Sequence, residues 1–180
     1  EGNLESLVQS LKLIRYPSDK LEFIFVNDHS TDNSIGVLRA SYWANSRIID
    51  LDADNSGKKA ALTKGIESAS FKIIVTTDAD CQHQPYWLES INSWFANSNV
   101  KMVVGGVAIS NSKSLFHQMQ TTEYASLIGS GASLLNWKTP AMANGANLAF
   151  RKSAFLEMGG YAGNENIPSG DDEYLLRKFF

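Results

Sequence analysis

Two aspartates separated by a single residue follow a strongly apolar run. Asp78 and Asp80 come directly after residues 73–75, Ile-Ile-Val, which we predict to form a strand. Alternate residues of an extended turn can direct two carboxylates toward one point, and such hard oxygen donors suit Mg²⁺ or Mn²⁺ shared with phosphate oxygens. The pattern indicates a cation site, although it also fits an ordinary solvated Asp-rich turn.

Further polar residues stand where an earlier strand ends and where a helix begins. Asp28 follows the nearly all-apolar run of residues 21–26 and would lie along the same edge of the sheet. Its carboxylate could accept an N–H from a bound base or sugar, or could cap the next helix. Gly57 and Lys58 enter another predicted helix, where amide donors and positive charge favour phosphate. The alternative for Lys58 is simple exposure to solvent.

Three consecutive acids, Asp171, Asp172 and Glu173, stand at the start of a predicted helix near the end of the chain. The helix dipole favours negative charge there, and capping accounts for one acid but not for all three. Crowded carboxylates repel one another, so one of them can become a usable general base. Trp137, close to Pro140, is a candidate for lining a pocket.

Apolar runs and polar loops alternate along the chain. We expect strands at residues 21–26, 48–51, 71–75, 101–107 and 146–150, and helices at 4–13, 35–44, 58–69, 86–95, 115–128, 153–158 and 173–180. Continuous apolarity in the strands indicates burial on both faces. The order predicts an α/β fold with a doubly wound, mostly parallel sheet flanked by helices, which binds ligands at the carboxyl ends of its strands. Residues 129–133 are small and predict a flexible break.

The composition excludes several classes of protein. A length of 180 residues fits one domain. A net charge of −3 offers no field that attracts a nucleic-acid backbone, so we expect no nucleic-acid partner. Cys81 is the one cysteine, which favours a reducing, cytoplasmic compartment. Charged residues interrupt every apolar run before the roughly 18 residues that a membrane span needs.

Four stretches, in order over nearly the whole chain, resemble family 2 glycosyltransferases with the nucleotide-sugar-binding GT-A fold. They are residues 23–34 (FIFVNDHSTDNS), 55–65 (NSGKKAALTKG), 73–85 (IIVTTDADCQHQP) and 144–172. Each stretch alone is weak, whereas the ordered set is specific. The resemblance implies one catalytic domain over residues 1–180, with a nucleotide-sugar half at about 1–107 and an acceptor-side half at about 108–180.

The resemblance also implies roles for the residues on the donor side. Asp28 matches the acid that contacts the nucleobase, and Asn27 stands where the family usually has another acid. Gly57 and Lys58 belong to the second matching stretch and are placed with the nucleotide sugar. Asp78 is placed with both the nucleotide sugar and the metal.

The remaining implied roles concern the metal, the base and the acceptor. Asp80, the final acid of the Asp-x-Asp motif, would hold the divalent ion against the diphosphate, with Asp78 nearby. Asp172 matches the catalytic base, and Asp171 replaces the usual Glu, which leaves open which of the two acids works. Residues 144–151 resemble the strand beside the acceptor site, so Asn144 and Asn147 are assigned to the acceptor side. Trp137, the candidate for lining a pocket, is assigned to the same side.

The activity implied by the resemblance is metal-dependent inverting transfer of a sugar from a nucleotide diphosphate sugar, a UDP-sugar before others, to a glycan or lipid-linked acceptor. The products expected are polysaccharide, glycolipid or cell-envelope glycan. The family's opening strand, and the segments that follow the catalytic acid in many members, are absent. We therefore expect a core truncated at both ends, whose parent protein works at the cytoplasmic face of a membrane through segments absent here.

Two alternatives compete with this hypothesis. A haloacid-dehalogenase-like phosphatase would use Asp78 as nucleophile. That class, however, prefers Thr or Val at the position of Gln82 and another acid at the position of Leu175. A non-catalytic nucleotide-sugar-binding module would account for the departures at Asn27 and Asp171. Phosphate release from a simple ester favours the first alternative, and binding without transfer or hydrolysis favours the second.

Overall fold

The computed structural model describes residues 2–41, 43–110, 114–164, 167 and 170–180. Its elements follow in the order α1 (Leu4–Lys12), β1 (Phe23–Asn27), α2 (Ser34–Ala40), β2 (Ser46–Asp50), α3 (Lys58–Ser68), β3 (Ile73–Thr76), α4 (Trp87–Trp94), β4 (Met102–Val104), α5 (Leu115–Asn136), β5 (Leu148–Arg151), α6 (Lys152–Glu157) and α7 (Asp171–Phe179). Short 3₁₀ turns lie at Ser18–Lys20 and Gly145–Asn147. Strands and helices alternate as the sequence predicts, with ends that differ by a few residues.

The strands form two hydrogen-bonded groups among the described residues. β1 and β2 pair in parallel, with Asn27 opposite Asp50 at their carboxyl ends. β5 lies between β3 and β4 and runs antiparallel to both, with Ala149 opposite Val75 and Val103. β3 and β4 therefore run in the same direction. An apolar run indicates burial on both faces but not strand direction, which explains why the sequence alone did not identify β5 as antiparallel.

Helices cover both faces of β5. Ala149 packs with Ile91 and Phe95, at the end of α4. On the opposite face Phe150 is fully buried, and its ring stacks on Phe155 of α6 with centroids 5.5 Å apart. Leu175 of α7 completes that core. Truncating a buried ring such as Phe150 to Ala costs about 3–5 kcal/mol, so this core fixes the position of α7 relative to the sheet.

A separate apolar cluster joins α1 and α2 to the β1–β2 pair. Its buried members come from the two helices, and strand residues pack against them: Leu4, Leu7, Val8, Leu11, Val37 and Leu38 from the helices, and Phe23, Phe25 and Ile48 from the strands. The spacing of the four α1 residues is that of one helix face, as expected from the sequence.

The predicted break at residues 129–133 is wrong, because α5 runs without interruption from Leu115 to Asn136. Gly131 is the buried residue of this helix, and a Cβ on it would come within 3.0 Å of the Met142 side chain. The glycine therefore permits a close approach between α5 and the segment that follows it. This packing outweighs the roughly 1 kcal/mol by which a glycine disfavours a helix.

The end of α6 matches its sequence signal. Gly159 and Gly160 have φ values of 70° and 51°, a left-handed conformation that ends the helix. No described helix is both long enough and apolar enough to cross a membrane.

Candidate active site

The start of α3 contacts a carboxylate from the end of β1. Gly57 is the N-cap residue and has a φ of 91°, which glycine adopts without steric cost. Its N–H donates to Oδ2 of Asp28 at 2.8 Å. The adjacent Asn27 amide donates to Oδ1 of Asp50 at 2.8 Å and so ties the ends of β1 and β2 together. Asp28 therefore contacts the start of α3 rather than that of α2, the helix that follows it.

Lys58, the first residue of α3, lies between two acids that are distant in sequence. Its Nζ is 3.0 Å from Oδ1 of Asp78 and 3.9 Å from Oδ2 of Asp171. Burial lowers the pKa of Lys58, but the hydrogen bond to Asp78 and the charges of Asp78, Asp171 and Asp172 outweigh burial and raise this pKa. The ammonium group therefore stays charged and offsets part of the acid cluster, by which we mean Asp78, Asp171 and Asp172.

The backbone of Gly145 orients Asp172. Its N–H donates to Oδ2 of Asp172 at 3.0 Å, and the N–H of Glu173 donates to Oδ1 at 2.8 Å. The Gly145 carbonyl accepts a hydrogen bond of 2.6 Å from the hydroxyl of Thr76, at the end of β3. Both oxygens of Asp172 are oriented in this way, while each keeps a lone pair for a further partner.

Lys58, Asp171 and Asp172 converge on the space in front of Gly145. A Cβ added to Gly145 would lie 3.5 Å from Nζ of Lys58, 3.7 Å from Oδ2 of Asp171 and 3.8 Å from Cβ of Asp172. Asp171 is only 8% exposed. The contacts of Lys58 and Gly145 therefore bring together the starts of α3 and α7, the loop after β3 and the turn before β5.

The loop after β3 also borders a cavity of about 470 Å³. Its walls are the start of α1, Ser34 at the start of α2, and residues 78–80. This volume is within the range of small-molecule sites. Asp80 is exposed on its wall, and its described side-chain contact is with Sγ of Cys81, at 3.8 Å.

The oxygen donors of this loop fit a cation that is shared with a substrate. Asp78 and Asp80 offer two carboxylates, and no three His, Cys, Asp or Glu side chains of the described residues are grouped to hold a metal ion. Mg²⁺ commonly binds through one or two carboxylates and completes its coordination with phosphate oxygens and water. The loop therefore lacks an all-protein cage but matches the chemistry of a cation bound together with a diphosphate.

Tyr124 is a site residue that sequence reasoning missed. Its hydroxyl accepts a hydrogen bond from the Asn144 side-chain amide. Burial raises the pKa of Tyr124, and the nearby Cys81, Asp78 and Asp172 raise it further. Tyr124 lies seven residues before Gly131, on the same inward face of α5. Because the predicted helix ended at residue 128, the sequence alone did not relate these two positions.

The three predicted acceptor-side residues have different surroundings. Asn144 lies beside Gly145, and its Oδ1 accepts the N–H of Ala146 at 2.9 Å. Both polar atoms of Asn147 bind protein groups: Oδ1 accepts from the Trp87 indole at 2.9 Å and Nδ2 donates to the Gly106 carbonyl at 2.8 Å. Trp137 is 73% exposed at the end of α5, and its described contacts do not reach the acid cluster.

His83 lies in the loop between β3 and α4. Its ring stacks on Trp87 with centroids 3.6 Å apart, and its Nε2 lies 2.7 Å from the hydroxyl of Thr77. Burial lowers the pKa of His83 to about 4, so the ring is neutral at neutral pH. The described contacts of His83 are those of a packed residue rather than of a metal ligand.

Comparison with known proteins identifies the family. The model of glycosyl transferase family 2 matches residues 1–159. Poly-beta-1,6-N-acetyl-D-glucosamine synthase from Staphylococcus aureus is 32% identical over 164 residues, which cover 87% of this chain and 38% of that protein. The chain thus spans less than two fifths of the length of this curated relative.

Solved structures of two glycosyltransferases share the fold. A mannosyltransferase from Pyrobaculum calidifontis, in complex with GDP-Man and Mn²⁺, aligns over 97% of this chain and 47% of its own, with a TM-score of 0.68 and 20% identity. TarS 1-349 from S. aureus, in complex with UDP-GlcNAc, aligns over 100% of this chain and 50% of its own, with a TM-score of 0.69 and 14% identity. These likenesses confirm the predicted fold class.

The family match includes Asp28, Lys58, Asp78, Asp80 and the turn at Gly145–Asn147, but it ends before α7. The acids of α7 are connected to the matched part by the contacts of Lys58 and Gly145. Membership of a glycosyltransferase family also removes the phosphatase alternative. The chain belongs to glycosyl transferase family 2.

Proposed function

We propose that this chain carries the catalytic site of an inverting glycosyltransferase, which moves a sugar from a nucleoside diphosphate sugar to an acceptor hydroxyl. The observation that carries the proposal is that Asp78 and Asp171, from separate segments, meet at Lys58 at the start of α3, while the adjacent Asp172 is hydrogen-bonded to the backbone of Gly145. A binding module needs donor contacts but no oriented base, whereas Asp172 is held through both of its oxygens.

On the donor side, Asp28 and Asn27 would face the nucleobase, and Gly57 and Lys58 would face the phosphates. Asp80, with Asp78 nearby, would hold Mg²⁺ or Mn²⁺, which supplies positive charge to offset the charge that develops on the departing diphosphate. The mannosyltransferase structure with GDP-Man and Mn²⁺ supports this metal use by analogy of fold.

On the acceptor side, Asp172 would remove the proton from the attacking hydroxyl. The hydroxyl oxygen then attacks the anomeric carbon from the face opposite the diphosphate, and a single displacement inverts the configuration. Asp172 suits this role better than Asp171, because Asp171 is enclosed and lies beside the Lys58 ammonium. We assign Asp171 the role of orienting Lys58, and we place Asn144 beside the base and Asn147 and Trp137 on the acceptor half.

We also propose the class of donor and product. A UDP-sugar is the donor we favour, because TarS was solved with UDP-GlcNAc and the S. aureus synthase is named for a polymer of N-acetylglucosamine. The acceptor would be a glycan or a lipid-linked sugar used for cell-envelope glycan, at the cytoplasmic face of a membrane. We place these roles in one domain over residues 1–180, divided near residue 107. The hydrogen bond from Thr76 to the Gly145 carbonyl connects its two halves.

The test of this function is a transfer assay on the full-length protein with a panel of UDP-sugars. We expect Asp172→Asn to lower the transfer rate by about 10²–10⁴-fold, the range that general-base catalysis supplies, while UDP binding is retained. Glu173→Gln is the matched control, because the Glu173 side chain contacts Arg177 rather than the acid cluster. Wild-type rates in Asp172→Asn would overturn the assignment of the base. Donor binding with neither transfer nor hydrolysis in the wild type would instead indicate a non-catalytic module.

A further inference from the structure

Lys58 binds one of the two acids to which we assign the divalent cation. Its Nζ lies 3.0 Å from Oδ1 of Asp78, and the two side chains are 46% and 40% exposed. An ion pair with this much contact with water is weak, because each charge can be solvated when its partner leaves. The Lys58–Asp78 pair is therefore one that an incoming ligand can break.

A divalent cation bound to Asp78 would repel the Lys58 ammonium group in its present position. Like charges at about 4 Å repel by about 1 kcal/mol per pair of unit charges in water and by more at a protein surface. A divalent ion beside the ammonium doubles this repulsion. Binding of the cation and retention of the Lys58–Asp78 ion pair are therefore opposed.

Asp171 gives the ammonium group a second partner. Its Oδ2 already lies 3.9 Å from Nζ, and the residue is buried at the start of α7. A Cβ on Gly145 would contact both groups without a clash, so that side of Lys58 is not filled by backbone. Lys58 can leave Asp78 and still remain paired within the acid cluster.

We propose that Lys58 is the resident counter-ion of the donor-free site: it neutralises Asp78 until a divalent cation binds there, and then it turns to Asp171 and to the diphosphate of the donor. This inference rests on the proposed function. Without nucleotide, Lys58 competes with the cation for Asp78. With nucleotide, Lys58 and the cation both bind the diphosphate.

The experiment measures Mn²⁺ binding to the full-length protein by electron paramagnetic resonance of the free ion, first without nucleotide. Because an exposed ion pair changes an equilibrium constant by up to about fivefold, we expect Lys58→Met to bind Mn²⁺ about fivefold more tightly than the wild type. Lys58→Arg keeps the charge and should bind as the wild type does. Lys64→Met is the matched control, because Lys64 lies on the same helix in an exposed ion pair with Asp52 at 2.9 Å.

The second arm repeats the titration with UDP. There we expect Lys58→Met to bind UDP in the presence of Mn²⁺ about fivefold more weakly, since the ammonium is lost from the diphosphate. Equal Mn²⁺ affinities of Lys58→Met and Lys64→Met without nucleotide would overturn the inference, as would an absence of Mn²⁺ binding in all variants. Sugar transfer by the wild type in EDTA would show that the reaction needs no divalent metal and would overturn this inference. It would not contradict the proposed glycosyltransferase function.

Discussion

Gly145 is the residue whose substitution tests the geometry of the site most locally. A methyl group there would make ordinary van der Waals contacts with Lys58, Asp171 and Asp172, at 3.5–3.8 Å. We therefore expect Gly145→Ala to fold with a nearly unchanged melting temperature. Transfer should fall by about tenfold or more, because the methyl occupies space beside Lys58 and Asp172 that we expect the substrate to enter.

The control for Gly145→Ala is Gly106→Ala, which adds a methyl where no atom lies within 4 Å. Steady-state kinetics and thermal melts of both variants are the measurements. A Gly145→Ala enzyme with the wild-type kcat and KM would show that the space in front of Gly145 is not used in the reaction.

At the residue scale, the resemblance to a family assigned Asp78, Asp80, Asp171 and Asp172 to one site. The described contacts connect Asp78, Asp171 and Asp172 through Lys58 and Gly145, whereas the described side-chain contact of Asp80 is with Cys81. Their partners could not be predicted, because Gly145 is 27 residues from Asp172 in the sequence and reaches it only in the folded chain. Asn147 illustrates the converse, since its two bonds to Trp87 and Gly106 are structural contacts that its motif did not indicate.

At the scale of elements, the loop after β3 contains a pH-dependent contact. Burial lowers the pKa of His83 to about 4, whereas a solvated imidazole titrates near 6.5. Between about pH 6.5 and 4 the unfolded chain binds a proton that the folded chain does not. His83 thus contributes stability that is present above pH 6.5 and is lost as the pH falls.

We expect the melting temperature to fall between pH 6.5 and 4.5, and to fall less steeply in His83→Gln, which cannot titrate. Thermal melts over a pH series measure this difference. His117→Gln, on α5, is the control that removes a histidine from another element. Parallel pH dependences for the wild type and His83→Gln would contradict the assignment of this proton to His83.

Lys59 connects α3 to the loop that leads into α7. Its Nζ donates to the carbonyls of Asn164 and Ile167, both at 2.6 Å. We expect Lys59→Met to speed hydrogen exchange at the start of α7, because the loop before it loses two bonds to a charged donor. Mass spectrometry of exchanged peptides is the measurement.

Lys152→Met is the matched control for Lys59→Met, since Lys152 also donates to two carbonyls, those of Glu67 and Ala69. Its loss should leave α7 as protected as in the wild type. Equal hydrogen-exchange rates at the start of α7 in the two variants would show that Lys59 does not position that helix.

The order of the elements was predictable because the apolar runs are long and are separated by polar loops. Two features were not. The continuity of α5 depends on Gly131, which acts through its contact with Met142 rather than through its own helix propensity. The direction of β5 depends on where the chain returns after α5, and an apolar run carries no signal for direction.

At the scale of the whole molecule, the two proposed halves share one sheet, because β5 of the second half lies between β3 and β4 of the first. Polar contacts at the site connect the halves as well. Lys58 and Thr76 belong to the first half, and Asp171 and Gly145 to the second. The division near residue 107 stays a prediction from the resemblance to a family, whereas composition and periodicity indicated only one α/β domain.

A crystal structure of the full-length protein with UDP and Mn²⁺ would show directly whether Asp28, Asp80 and Asp172 line one site. We predict the uracil against Asp28, the ion on Asp80 between the loop and the diphosphate, and Asp172 facing the diphosphate across the space that a donor sugar would fill. A nucleotide bound away from Asp28 and Asp80, or a diphosphate pointing away from Asp172, would contradict the claim that these residues form one catalytic site.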